Sequence, residues 1–214
     1  MMTTSTQATG QAPGTGQVPQ APTVAEEDLL RVGVYRLLAR LLSGPPDDAC
    51  LRLVAGIGSD RSELGLALHA LSRLAASATP VDLRDEYQAL FIGIGRGELV
   101  PFGSFYQTGF LNEKPLAVLR DDLRQLGIER QPGNPEPEDH VASLCEVMAG
   151  LIDGSLGDGA MATQQRFFAH HLAPWAKQFF LDLERARESR FYAPVGTIGR
   201  LFIDIESTAF EMAA

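Results

Sequence analysis

From Glu26 onward, apolar residues recur at steps of three and four, the period of helices that bury one face. Leu30, Val34, Leu37, Leu38, Leu41 and Leu42 form one such stripe behind Thr23-Val-Ala-Glu26, a capping-box pattern, and Gly44-Pro45-Pro46 stops it. A short helix is predicted after Asp47 and Asp48, with Leu51 and Val54 inward and Gly56 to Gly58 at its end. A third begins near Asp60 and carries Leu64, Leu68, Leu71 and Ala75 on one face. Thr79-Pro80 predicts an N-cap with a proline in the first turn, and Leu83, Tyr87, Leu90 and Phe91 line one face up to Gly93.

Residues 93 to 112 break the period. Five glycines and Pro101 interleaved with Phe102, Phe105, Tyr106 and Phe110 predict no regular helix, yet so aromatic a loop either packs as a lid or walls a groove. Helical spacing resumes at Leu116, Leu119, Leu123 and Leu126, and Gly127 is the predicted C-cap. A second proline-rich break, residues 131 to 137, leads into a helix with Val141, Leu144, Cys145, Met148, Leu151 and Ile152 on one face. Three more helices are predicted: one with Met161, Phe168 and Leu172, one from Pro174 with Trp175, Phe179 and Leu183, and one after Pro194. The last is read with Ile198, Leu201, Phe202 and Ile205 inward. Period-two alternation is absent, so the expected fold is all-α, a single-domain bundle of about eight or nine helices. No internal repeat suggests a solenoid.

Composition narrows this further. A chain of 214 residues suits one domain with a sizeable core. Residues 1 to 25 carry no charge and little apolar surface, and lack both the basic and the apolar region of a signal peptide, so they are read as a disordered tail ahead of a folded domain at 26 to 214. The 27 acidic against 18 basic residues give a net charge of -9, which disfavours a nucleic-acid partner and favours a cationic one. No apolar run reaches the roughly 18 residues of a membrane span. Two cysteines, Cys50 and Cys145, suit a reducing cytoplasm.

Candidate chemistry is sparse. Gly93-Ile-Gly-Arg-Gly97 lacks the Lys-Ser/Thr ending of a phosphate loop and follows a helix rather than a strand. His170 and His171 are adjacent, so they are expected on different helix faces, and no metal or other cofactor is expected. Asp139-His140 with Cys145 or Ser104 lacks any nucleophile-elbow context. Catalysis is therefore not expected. Glu136-Pro137-Glu138-Asp139-His140 admits two readings. Pro137 suits a first helical position with the acids complementing the helix dipole, and the same acids suit a guanidinium ligand. A second constellation joins Tyr87, Leu90 and Phe91 to Pro101, Phe102, Ser104 and Tyr106 ten to twenty residues on.

Tyr87-x-x-Leu90-Phe91 and Glu136-Pro-x-Asp139-His140 resemble, in order, the two motifs of the TorD/DmsD/NarJ family of redox-enzyme maturation chaperones, and Pro101-Phe-Gly-Ser104-x-Tyr106 fits the loop between them. The resemblance spans roughly residues 26 to 210. It implies a cytoplasmic all-helical chaperone without catalytic activity. Its partner would be a molybdoenzyme catalytic subunit, held through its twin-arginine signal peptide until cofactor insertion is complete. The implied peptide site comprises Tyr87, Leu90, Phe91, Pro101, Phe102, Ser104, Tyr106, Glu136, Asp139 and His140, to which the charge argument adds Glu138. His140 is expected to orient a carboxylate or to add a pH-dependent contact. The resemblance also admits a guanine-nucleotide switch at Gly93 to Gly97, and a structural adaptor that binds no signal peptide is the other alternative. A monomer and a domain-swapped dimer are both open.

Overall fold

A computed structural model describes residues 25–93, 97–129, 137–157 and 159–213. Among these residues, ten α-helices run in the order α1 (Glu26–Leu42), α2 (Asp48–Ala55), α3 (Glu63–Ala75), α4 (Pro80–Tyr87), α5 (Gly103–Thr108), α6 (Lys114–Gln125), α7 (Val141–Asp153), α8 (Met161–His171), α9 (Ala176–Arg185) and α10 (Tyr192–Met212). The architecture is all-α, as the periodicity predicts. No strand occurs among the described residues, which hold one isolated antiparallel bridge, Phe102 to His140, between the two loops.

Helix α7 is apolar on nearly every side, and it fills the centre of the bundle alongside α1. Helix α10 lies against α9 and α3. Gly196 and Gly199 permit its approach to α9, because a Cβ at either would collide with the Glu184 backbone or the Phe180 ring. Several ends follow local chemistry: the Asp47, Ser62 and Thr79 side chains cap α2, α3 and α4, and Gly127 adopts the positive φ expected beyond α6. The start of α3 falls near Asp60 as read, with Ser62 as the N-cap and the Asp60 carboxylate accepting from the Ser62 backbone and hydroxyl. The capping box from Thr23 lies outside the described residues.

Two predicted stripes are rotated. In α1 the inward face is Val32, Tyr35, Leu38, Ala39, Leu41 and Leu42, while Leu30 is exposed. In α10, Ile203 and Glu206 are buried and Ile205 is exposed, contrary to the inward reading of Ile205. A buried ion pair is the reason for both. Glu206 accepts from Arg31 at 2.7 and 2.9 Å and from the Tyr35 hydroxyl at 3.0 Å, so each helix turns a charged residue toward the other. Gln164 on α8 accepts from Arg31 at 3.1 Å and completes the junction of three helices. A hydropathy stripe cannot anticipate an inward charge whose partner lies 175 residues away.

Candidate functional site

The end of α4 continues as one turn of π-helix, Gln88–Ile92. A π-turn shifts its carbonyl pairing by one residue, and here the Ala89 and Leu90 carbonyls accept from Glu98 and Leu99 backbone N–H groups at 3.2 and 2.8 Å. The incoming chain lies so close that a Cβ at Gly97 would sit 2.6 Å from the Leu90 oxygen. Leu90 is fully buried, and the buried Tyr87 donates its hydroxyl to the Leu42 carbonyl at 3.0 Å. Phe91 is half-buried, with ring centroids 4.8 Å from Tyr87 and 5.5 Å from Tyr192. Tyr87, Leu90 and Phe91 thus anchor the start of the aromatic loop to the bundle.

Its far end is held by the acidic segment. The Val141 N–H donates to the Pro101 carbonyl at 2.9 Å, and Gly103 N–H donates to the Asp139 carbonyl at 2.9 Å. The Asp139 carboxylate accepts from Ser104 N–H at 2.6 Å, and the Phe102 and His140 rings meet edge to face at 5.0 Å. These contacts correct the expectation of no helix in residues 93 to 112. Helix α5 forms because Asp139 supplies from a distance the cap that Phe102 cannot, and Gly109, at φ 84°, ends it.

The same geometry corrects the helix start read at Pro137. Helix α7 begins at Val141, and His140 is its N-cap, its Nδ1 accepting from Ala142 N–H at 3.1 Å. Asp139 therefore serves the dipole of α5 rather than that of α7. Burial pushes the His140 pKa down to about 4, so the ring is neutral at neutral pH, as an Nδ1 acceptor requires.

Beneath α5 lies a platform that the motifs do not reveal. The Trp175 indole donates to the His171 carbonyl at 2.7 Å, and its ring stands 5.5 Å from that of Tyr106. A Cβ at position 103 would approach Trp175 Nε1 to 3.0 Å, which accounts for Gly103. Tyr106 in turn donates to the Asp182 carboxylate at 3.1 Å. Trp175 reads in the sequence as an ordinary inward residue.

Of the acids, Glu138 is paired with Arg120 of α6 at 2.8 and 3.0 Å, and Glu136 lies outside the described residues. Asp139 is 3% exposed, and its Oδ1 and the Ser104 hydroxyl are buried without a hydrogen-bond partner among the described residues. The site thus brings together Phe102, Ser104, Asp139 and His140, with Pro101 at the bridge and Tyr106 on the platform. Tyr87, Leu90 and Phe91 join it through the backbone of residues 97 to 99. Residues 94 to 96 of the glycine-rich turn lie outside the described residues.

No hydrolytic triad assembles here. The His140 Nδ1 is engaged with a backbone amide, and burial raises the Cys145 thiol pKa far above neutrality. His170 and His171 leave α8 on different faces as expected, one exposed and one buried, yet both imidazoles turn toward Asp122.

An all-helical bundle that spends two motifs on one aromatic loop has the build of a binding protein. The chain belongs to the nitrate reductase delta subunit family, whose model matches residues 58–181 and so takes in both motifs. It is 26% identical over 202 residues to the chaperone protein TorD of Shewanella loihica, covering 84% of this chain and 92% of that one. It is 30% identical over 122 residues to the Tat proofreading chaperone DmsD of Salmonella paratyphi A, covering 56% and 57%. A crystal structure described as a redox enzyme maturation protein from Archaeoglobus fulgidus shares the fold with a TM-score of 0.53 at 16% identity, over 88% of this chain and 99% of that one. The family is one of chaperones, and the protein is not an enzyme. No helix among the described residues is long and apolar enough to cross a membrane.

Proposed function

We propose that this chaperone binds the twin-arginine signal peptide of a molybdopterin-containing oxidoreductase subunit in the cytoplasm and retains the apo-protein until its cofactor is inserted. The observation that carries the reading is the junction of loop and acidic segment. Asp139 and Ser104 each keep one buried polar atom without a partner there, beside the half-buried rings of Phe102 and Tyr106. A carboxylate oxygen left unpaired in a buried place is costly unless a donor reaches it in some state of the protein, and a guanidinium supplies donors in the right geometry.

Access requires movement. Asp139 lies beneath α5, so an arginine reaches it when the short helix and its loop lift from the Trp175 platform. Glu138 and Glu136 offer the first encounter, where the leader arginine displaces Arg120 from Glu138. Phe91, Phe102 and Tyr106 wall the apolar stretch of the leader, while Tyr87, Leu90 and Pro101 hold the wall in place. His140 acts by position, as the N-cap of α7 and the ring against Phe102.

Calorimetric titration of a twin-arginine leader peptide into the full chain tests this. Saturable binding is expected, weakened at least about tenfold when both arginines become lysine, since lysine cannot pair in bidentate fashion. Equal affinity for the two peptides would show that the carboxylates do not read the arginines.

A further inference from the structure

Helix α8 ends on His170 and His171, and both imidazoles converge on one carboxylate of α6. The Nε2 of His171 lies 2.8 Å from Asp122 Oδ2, the Nδ1 of His170 lies 3.7 Å from the same oxygen, and all three ligand atoms fall within 4.8 Å of one another. Successive helical residues ordinarily diverge by about 100°. Here one ring presents its near nitrogen and the other its far nitrogen, with the ring planes at 89°.

We propose that Asp122, His170 and His171 form a site for one divalent transition-metal ion, of the class of Zn2+, clamping the end of α8 to α6. In a tetrahedral zinc site with bonds near 2.0–2.1 Å, ligand atoms stand about 3.3 Å apart, and the two observed separations from Oδ2 bracket that value. Two imidazoles and one carboxylate leave a fourth position for water, and the exposed side of His170 provides the entry. The ion replaces the hydrogen bond between Nε2 and Oδ2, and the neutral His171 ring switches tautomer, carrying its single proton on Nδ1 instead of Nε2. The Arg166 guanidinium acts on both Asp122 and His171 and opposes a cation held by charge alone. A metal that bonds strongly to imidazole is therefore favoured over Mg2+ or Ca2+. The Asp122–His171 hydrogen bond by itself would join the helices; the approach of the second, exposed imidazole to the same oxygen is what points to an ion. An ion here would also fix the His171 carbonyl that receives the Trp175 indole, and so stiffen the platform under α5.

The test uses the untagged full chain titrated with ZnCl2, followed by calorimetry and thermal unfolding. One ion per chain and a raised Tm are expected, with no shift from MgCl2. His170→Ala should weaken Zn2+ binding about tenfold or more while leaving the metal-free Tm unchanged, because His170 lies at the surface. Asp122→Asn should weaken it as well, and if that variant is unstable the His170 variant decides alone. Wild-type Zn2+ affinity in His170→Ala, or no Zn2+ binding to the parent chain, overturns the proposal.

Discussion

The carboxylate of Asp139 caps a helix from a distance, accepting the N–H of Ser104, 35 residues before it, at 2.6 Å while the Asp139 carbonyl receives that of Gly103. The two conspicuous motifs of the chain therefore close one structural unit, in which the acidic segment supplies the helix start that the aromatic loop lacks. Removal of this carboxylate should loosen α5. We expect Asp139→Ala to cost about 2 kcal/mol in urea unfolding, the loss of a charged cap, and Asp139→Asn about 1 kcal/mol or less because its amide oxygen still accepts. Hydrogen exchange should locate the change in residues 103 to 108.

Most helices were legible because their signals are local: an apolar stripe, an Asp, Ser or Thr cap, a proline stop. What escaped depends on distant partners. Helix α5 draws its cap from Asp139, the inward Glu206 draws its charge partner from α1, and the convergence of His170 and His171 depends on where Asp122 of α6 comes to lie. The motifs pointed to Phe102, Ser104, Asp139 and His140, which do meet, but Trp175 bears no mark of its place under Gly103. A buried tryptophan in an amphipathic helix looks the same whether it fills the core or supports a loop.

The His140 ring gives stability a defined pH dependence. Its pKa is depressed to about 4 in the fold against about 6.5 in the unfolded chain, so the unfolded state binds the extra proton between these values. Stability from this group is fully present above pH 6.5 and falls as pH drops toward 4, by about 3 kcal/mol in all. Buried His171, also depressed by desolvation, adds a loss of the same sign as the pH falls. His140→Asn, whose side-chain oxygen can still cap Ala142, should flatten the dependence of unfolding free energy between pH 6.5 and 4.

Arg31 and Glu206 should behave as a pair. Truncating Glu206 to Ala leaves the mostly buried guanidinium with Asp28 and Gln164 as its remaining partners and Tyr35 without its acceptor, and a loss of about 2–3 kcal/mol is expected. Replacing both by apolar residues, as in Arg31→Met with Glu206→Leu, should recover most of it, since neither charge is then stranded. A double-mutant cycle in urea measures the coupling, and additive losses would mean that the two groups do not stabilise one another.

Arg120 holds Glu138 as an arginine of a leader peptide would. Its side chain is 42% exposed, so the pair contributes little to the fold, and Arg120→Ala should change stability by about 0.5 kcal/mol or less. Its effect on binding should be opposite in kind. If the incoming guanidinium competes with Arg120 for Glu138, removing the competitor strengthens peptide binding, whereas Glu138→Gln weakens it, and the two effects cancel in part when combined. Raised salt should diminish all of these differences, because the first encounter is between partly exposed charges. Calorimetry of the four proteins with one twin-arginine peptide, at low and at physiological ionic strength, separates this exchange from simple acidity of the surface. An undirected acidic surface would also respond to the loss of a positive charge, but Glu138→Gln would then have no larger effect than Asp121→Asn, a neighbouring exposed acid paired with Arg124.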